Sequence, residues 1–171
     1  LMEDLAARGV LENTVVVVTA DHGEQFGEHG LYLHNFSVYQ PLVHVPLVVW
    51  APGLPNGRLA GPVSTMDLFP TLCAWTGTPA PEALEGIHLV DAPRPAVTRM
   101  ELPLEREIET VKAIHSDVAV EPWLRSGHAI VDDRLHKAIH WDERPAQGFD
   151  LANDPGELQP VEPDPELLEA I

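Results

Sequence analysis

The residues best suited to chemistry lie in one stretch, from Thr19 to His34. Asp21 and His22 follow directly after an apolar run, and Gly23 comes next without a side chain that would obstruct a ligand. A carboxylate and an imidazole at the end of one strand can both turn toward a single divalent cation. This pattern does not choose between calcium, magnesium, manganese and zinc. A polar turn without a metal is the alternative interpretation.

A metal site needs more donors than these two residues supply, so further ligands must come from elsewhere in the sequence. Nearby acidic and imidazole side chains belong to Glu24, Glu28, His29 and His34. At most one or two of them can converge on the same ion. In the simpler interpretation the carboxylates face solvent or accept backbone N–H groups, and the histidines are hydrogen-bonded loop residues.

Other candidate residues have structural explanations. Cys73 lies in a helical apolar pattern with Leu72 and Trp75, which favours a core thiol over a nucleophile. Four histidines later in the sequence alternate with apolar residues and show no metal-ligand spacing: His44, His128, His136 and His140.

Hydrophobic patterning predicts the elements that must position Asp21 and His22. A short amphipathic helix ends at Gly9, and the unbroken apolar run from Thr14 to Ala20 then predicts a central strand of a parallel sheet, buried on both faces. The carboxyl end of such a strand is where ligands bind in open α/β sheets. A second strand over Val45 to Ala51 is predicted next, followed by a helix capped by Ser64 or Thr65.

The later part of the sequence is organised differently. A proline-rich linker from Pro79 to Pro95 predicts a division into residues 1–92, an α/β domain with the metal-binding loop, and residues 93–171, a small α+β subdomain with an acidic tail. The second part is predicted to contain short strands, a hairpin turn and a terminal helix. Their ranges are 96–100, 111–116, 128–131 and 136–141 for the strands, 132–134 for the turn and 166–171 for the helix.

Composition limits the classes of partner. The 171 residues include 27 acidic and 10 basic side chains, and the net charge of −17 argues against nucleic acid. A single cysteine excludes an internal disulfide, and no apolar run is long enough to span a membrane.

No signal peptide is visible, and the sequence predicts no cellular location. Because it opens on Leu1 without an initiator methionine, we expect a piece of a longer protein.

The succession of motifs resembles the carboxyl-terminal part of sulfatases. These belong to the alkaline phosphatase superfamily, together with phosphonate monoester hydrolases and phosphoethanolamine transferases. The resemblance implies an α/β fold, namely the C-terminal portion of an alkaline-phosphatase-like sandwich with a small antiparallel subdomain. It rests on six segments: Thr19–Glu24, Gly27–Gly30, Val45–Trp50, Val63–Leu72, Leu135–Ile139 and Phe149–Glu157.

The resemblance also implies roles for individual residues. Asp21 and His22 match two metal ligands of the family, with calcium as the first expectation and manganese, zinc or magnesium as alternatives. His34 matches a position where many sulfatases have lysine and some relatives histidine. There the side chain contacts the sulfate or phosphate and offsets charge on the leaving oxygen. The expected partner is therefore a small sulfate or phosphate ester.

The nucleophile expected from the resemblance is absent. Sulfatases carry a Cys-x-Pro-x-Arg or Ser-x-Pro-x-Arg segment whose first residue becomes formylglycine, and the surroundings of Cys73 do not match it. We therefore expect a fragment of a metal-dependent sulfatase that is inactive alone and that self-associates through exposed sheet edges. Alternatives are a phosphoethanolamine transferase, favoured by Leu31–His34, and a phosphonate or phosphodiester hydrolase. A non-catalytic metal-binding or interaction module is the alternative from another class.

Overall fold

The computed structural model describes residues 1–34, 37–90, 96–100, 109, 112–113, 126–142 and 144–171. The helices are α1 (Met2–Ala7), α2 (Gln40–Val43), α3 (Leu68–Thr76) and α4 (Pro165–Glu169). Short 3-10 helices span Val10–Asn13, Glu28–Gly30 and Thr65–Asp67. The strands are β1 (Val16–Thr19), β2 (Gln25–Phe26), β3 (Tyr32–Leu33), β4 (Leu47–Trp50), β5 (Ala96–Met100), β6 (Gly127–Val131), β7 (His136–Trp141) and β8 (Arg144–Asp150).

The strands form three separate antiparallel sheets within the described ranges. β1 pairs with β4, β2 pairs with β3, and the third sheet has the order β5-β6-β7-β8. The prediction of a parallel sheet around β1 is therefore wrong for the described residues. Val18 is also 57% exposed, so β1 is not buried on both faces here. A β-branched run favours a strand, but it does not fix the direction of the neighbouring strand.

Most of the other predicted elements are present. Ser64 and Asp67 form a capping box ahead of α3, which ends at Gly77 in the left-handed conformation. The predicted strand over 111–116 is wrong where it can be compared, because residues 112 and 113 are helical, while its other residues lie outside the described ranges. The described residues contain no helix with the length and apolar character needed to cross a membrane.

One buried cluster connects the segment around α2 with the carboxyl-terminal sheet. Leu31, Val38 and Tyr39 pack against buried side chains of the later strands and of the turn after β8: Ala129, Ile139, Trp141, Phe149 and Leu151. Loop residues near Asp21 therefore share a core with residues distant in sequence. The predicted division between residues 92 and 93 falls within residues 91–95, which are outside the described ranges, and it stays a prediction.

A buried ion pair reinforces the same contact. The Lys137 ammonium on β7 lies 2.6 Å from Glu157 Oε1 and donates a second hydrogen bond of 2.6 Å to the Val38 carbonyl. The other Glu157 oxygen accepts the backbone N–H of Gln40. The segment leading into α2 is therefore held by charged side chains of the carboxyl-terminal part.

Candidate active site

Asp21 and His22 lie just beyond the end of β1, as the sequence predicts. The His22 backbone N–H donates to Asp21 Oδ1, and this bond holds the pKa of the carboxyl below its ordinary value. His22 Nδ1 lies 2.8 Å from the Gly23 carbonyl, which can only accept, so Nδ1 carries the proton. The second ring nitrogen, Nε2, is left unprotonated in the neutral imidazole and lies 3.7 Å from Asp21 Oδ2.

Position 23 has no room for a side chain, so glycine is required there. A Cβ at this position would lie 2.0 Å from the Pro41 carbonyl oxygen, and the Gly23 N–H donates to the Leu42 carbonyl at 2.7 Å. The backbone after His22 is thus fixed directly against α2 (Gln40–Val43). This contact links the loop that carries Asp21 to the segment held by the Lys137–Glu157 pair.

A small hairpin brings His34 back to the beginning of the loop. β2 and β3 pair Gln25 with Leu33, so the residues just outside that pair, Glu24 and His34, meet across the open end. His34 Nδ1 lies 3.3 Å from Glu24 Oε2. With Nδ1 as the donor, the carboxylate orients the ring and leaves Nε2 available to another group.

The Asp21–His22 pair and the Glu24–His34 pair meet through their histidine rings. His22 and His34 stack with centroids 4.6 Å apart and planes 21° from parallel. The structure therefore brings together all three predicted site residues, Asp21, His22 and His34, and adds Glu24 as the partner of His34. Asp21 is the most exposed of them, at 89% for its side chain.

The donors that this chain supplies fit a divalent cation but do not complete its coordination. Metal-ligand bonds of about 2.0–2.4 Å allow one ion to bind two atoms 3.7 Å apart, as His22 Nε2 and Asp21 Oδ2 are. A backbone carbonyl that fixes the other nitrogen is a common feature of metal-binding histidines. In the described part of the chain, no group of three or more His, Cys, Asp and Glu residues converges as a metal site.

The other candidates near the loop have different partners. Glu28 accepts the Phe26 N–H at 2.7 Å, in agreement with the simpler interpretation of a carboxylate that binds backbone. His29 stacks on Tyr39 at 3.9 Å in a left-handed backbone conformation. Its buried Nε2 has no hydrogen-bond partner within the described residues. Cys73 is buried in α3, as expected of a core thiol.

Sequence reasoning missed the residues that support the site from the carboxyl-terminal sheet. The Tyr39 hydroxyl donates to Gln147 Oε1 at 2.9 Å, and the same oxygen accepts the Trp141 indole N–H at 2.8 Å. Tyr39 thereby connects the stacked His29 to β7 and β8. No motif marks Gln147 in the sequence, and only the tertiary contact identifies it.

This fold is that of the alkaline phosphatase superfamily. The chain is 27% identical to the phosphonate monoester hydrolase of Agrobacterium radiobacter, and the match has a TM-score of 0.70 over 98% of this chain and 34% of that structure. Within the superfamily, the sulfatase family model matches residues 1–78. The sequence similarity of this chain is therefore to the sulfatase family.

Two sulfatases illustrate the relationship. Arylsulfatase K of Canis lupus familiaris is 37% identical over 166 residues, which cover 87% of this chain and 28% of the relative. The Delta 4,5-hexuronate-2-O-sulfatase of Bacteroides thetaiotaomicron is 28% identical, over 93% of this chain and 32% of the relative. The chain thus spans about a third or less of the proteins it resembles.

Proposed function

We propose that this chain forms one part of the active site of a divalent-metal-dependent sulfatase. Asp21 and His22 bind the metal, and His34 contacts the sulfate group and the leaving oxygen of the ester. The observation that carries the proposal is the stacking of His22 on His34, since it brings these two side chains into contact. Sulfatases among the relatives support sulfate esters as the substrate class.

The residues of this chain would have separate chemical roles, namely metal binding and stabilisation of the leaving oxygen. Bound there, a divalent cation would polarise the ester oxygens and lower the pKa of the nucleophile. Asp21 provides an ionised oxygen, and His22 provides Nε2 because its Nδ1 donates to the Gly23 carbonyl. His34, oriented by Glu24, donates a proton or hydrogen bond toward the leaving oxygen.

The nucleophile is proposed to lie outside these 171 residues. Sulfatases provide it as formylglycine from a Cys-x-Pro-x-Arg or Ser-x-Pro-x-Arg segment, which this sequence lacks. The chain spans only 28% to 34% of the relatives reported above, so most of their length has no counterpart here. We infer that the 171 residues alone hydrolyse no ester at an appreciable rate.

Metal removal tests the proposal in the complete protein that contains this chain. We expect it to hydrolyse 4-nitrophenyl sulfate, to lose at least 90% of that activity (roughly a tenfold loss or more) after dialysis against a chelator, and to regain it with calcium or manganese. Loss of activity that no divalent cation restores would contradict the metal role. Absence of hydrolysis by the untreated protein would favour a non-catalytic module.

Phosphonate or phosphate monoester hydrolysis is the second candidate. The phosphonate monoester hydrolase match favours it, since it covers nearly all of this chain. Assaying 4-nitrophenyl phosphate and phenyl phosphonate beside the sulfate ester separates the two reactions. A kcat/KM for sulfate at least tenfold above the other two supports the sulfatase assignment, and the reverse order replaces it.

The proposed role of His34 predicts that the rate lost on its removal depends on the leaving group of the ester. His34→Ala in the complete protein should slow hydrolysis of alkyl sulfates by about a hundredfold, because their leaving oxygens need charge stabilisation. Hydrolysis of 4-nitrophenyl sulfate, whose leaving group is stable as an anion, should slow far less. A plot of log kcat/KM against leaving-group pKa measures this difference as a steeper slope.

His44→Ala is the matched control for that measurement. His44 is exposed at the end of α2 and is outside the cluster of Asp21, His22 and His34. Its removal should leave the slope unchanged. An equal loss for good and poor leaving groups in His34→Ala would show that His34 does not act on the leaving oxygen.

A further inference from the structure

The ion pair between Lys137 and Glu157, named here the buried pair, has no part in the proposed chemistry. Both side chains are fully buried, and burial of two charges is costly even when they are paired. The ammonium donates to Glu157 Oε1 and to the Val38 carbonyl, both inside the protein. Neither charged group is therefore placed to contact an ester or a metal ion. Any effect of the buried pair on the site must pass through the backbone.

The buried pair holds the beginning of α2. Lys137 binds the Val38 carbonyl, and Glu157 Oε2 accepts the N–H of Gln40 at 2.6 Å. Gln40 is the first residue of the helix, so no carbonyl within the helix can accept its N–H. The side chain of Tyr39, which precedes the helix, does not cap it. A helix of one turn is not stable by itself, and α2 therefore depends on these external contacts.

The loop that carries His22 binds the other end of α2. The Gly23 N–H donates to the Leu42 carbonyl at 2.7 Å, and a Cβ on Gly23 would lie 2.0 Å from the Pro41 carbonyl oxygen. Carbonyls in the last turn of a helix have no partner within the helix, which leaves them available to the loop. The helix rises only about 3 Å from Gln40 to Leu42. One turn of backbone thus connects the buried pair with the loop.

Gly23 in turn fixes the imidazole of His22. His22 Nδ1 lies 2.8 Å from the Gly23 carbonyl, which keeps the proton on Nδ1 and leaves Nε2 unprotonated. A hydrogen bond weakens steeply when its angle or length changes, so a shift of the Gly23 backbone would release the ring. The proton could then move to Nε2, the nitrogen that lies 3.7 Å from Asp21 Oδ2. A protonated Nε2 cannot bind a metal.

We propose that the buried pair positions the metal ligand His22: through α2 and Gly23 it holds the imidazole with its proton on Nδ1 and with Nε2 available to the metal. This inference rests on the proposed function, in which Asp21 and His22 bind the metal. Groups that orient a ligand from outside the coordination sphere change metal affinity by about 10–100-fold when they are removed. Loss of the buried pair should therefore weaken metal binding although every ligand is still present.

Nitrogen NMR of the complete, metal-free protein tests the position of His22 without a metal. The histidines are isotope-labelled, and the signals of His22 are assigned by their absence in a His22→Gln variant. At about pH 8, where an ordinary imidazole is neutral, the wild type should carry the proton on Nδ1 alone. Lys137→Met should show both tautomers in comparable amounts. If Lys137→Met yields no folded protein, Glu157→Gln, which keeps the size of the side chain and removes its charge, gives the same decision.

Leu167→Ala is the matched control. Leu167 packs with Ile130 and Ala138 in a second buried cluster, and Ala138 is the neighbour of Lys137 on β7 with its side chain on the opposite face. Truncation leaves a cavity that destabilises the same sheet, so it reports the effect of lower stability alone. This variant should keep the wild-type tautomer. A mixture of tautomers in both variants would overturn the inference, and so would an unchanged tautomer in Lys137→Met.

Manganese binding distinguishes failure of this inference from failure of the proposed function. Calorimetric titration with Mn²⁺ should give a dissociation constant at least about tenfold higher in Lys137→Met than in the wild type, and less than about twofold higher in Leu167→Ala. Equal affinity in Lys137→Met and the wild type would overturn the inference. If the wild type binds no Mn²⁺, the proposed function fails, and the tautomer measurement still decides whether the buried pair positions His22.

Discussion

Asp21→Asn in the complete protein is expected to lower kcat/KM for 4-nitrophenyl sulfate by about a thousandfold or more. The substitution keeps the size of the side chain but removes its negative charge. Asp21 is exposed and makes its local hydrogen bond with the neighbouring backbone, so little folding energy depends on it. The loss should therefore come from metal binding, measured by the metal content of the purified variant.

Glu12→Gln is the control for this variant. Glu12 is an exposed carboxylate in the 3-10 helix before β1, and its loss changes the net charge by the same amount. It should keep the activity and the metal content of the wild type. An Asp21→Asn protein with unchanged metal content and kcat/KM would remove Asp21 from the site.

The sequence was sufficient to predict that Asp21 and His22 lie at the end of β1, because local order decides that position. They are adjacent residues at the end of an apolar run, so any strand there places both at the same edge. His34 is twelve residues beyond His22, and spacing alone did not place it. Its proximity depends on the Gln25–Leu33 pairing in a hairpin whose strands have only two residues each, and only the structure shows this pairing. The resemblance to sulfatases assigned its role without that geometry.

Two features could not be predicted from the sequence: the direction of the strand that pairs with β1, and the burial of the Lys137 ammonium. The β1 run has the same composition whether its neighbour is parallel or antiparallel, and β4 proved antiparallel. Charged side chains are rarely buried, and no pattern in the sequence marks Lys137 as an exception. Lys137 pairs with Glu157, twenty residues away, and both charged side chains are buried in the core. That pairing depends on tertiary packing and leaves no periodic signal.

Lys137 has the largest expected effect on stability. Its ammonium is fully buried, and this desolvation lowers its pKa although Glu157 opposes the shift. Lys137→Met would leave Glu157 Oε1 and the Val38 carbonyl buried without their donor. Breaking one side of such a pair costs about 3–5 kcal/mol. Urea unfolding of the complete protein, followed by tryptophan fluorescence, measures the loss as a lower transition midpoint.

A double-mutant cycle separates the pair from simple loss of packing. Lys137→Met with Glu157→Gln removes both charges, and the amide can still accept the Gln40 N–H, so the double variant should lose less than the two single losses combined. Arg8→Met, which breaks the exposed contact between Arg8 and Asp4, should change stability little. If Lys137→Met is no more destabilising than Arg8→Met, the buried pair does not hold the α2 segment in place. In that case the carboxyl-terminal sheet would support the site through apolar contacts alone.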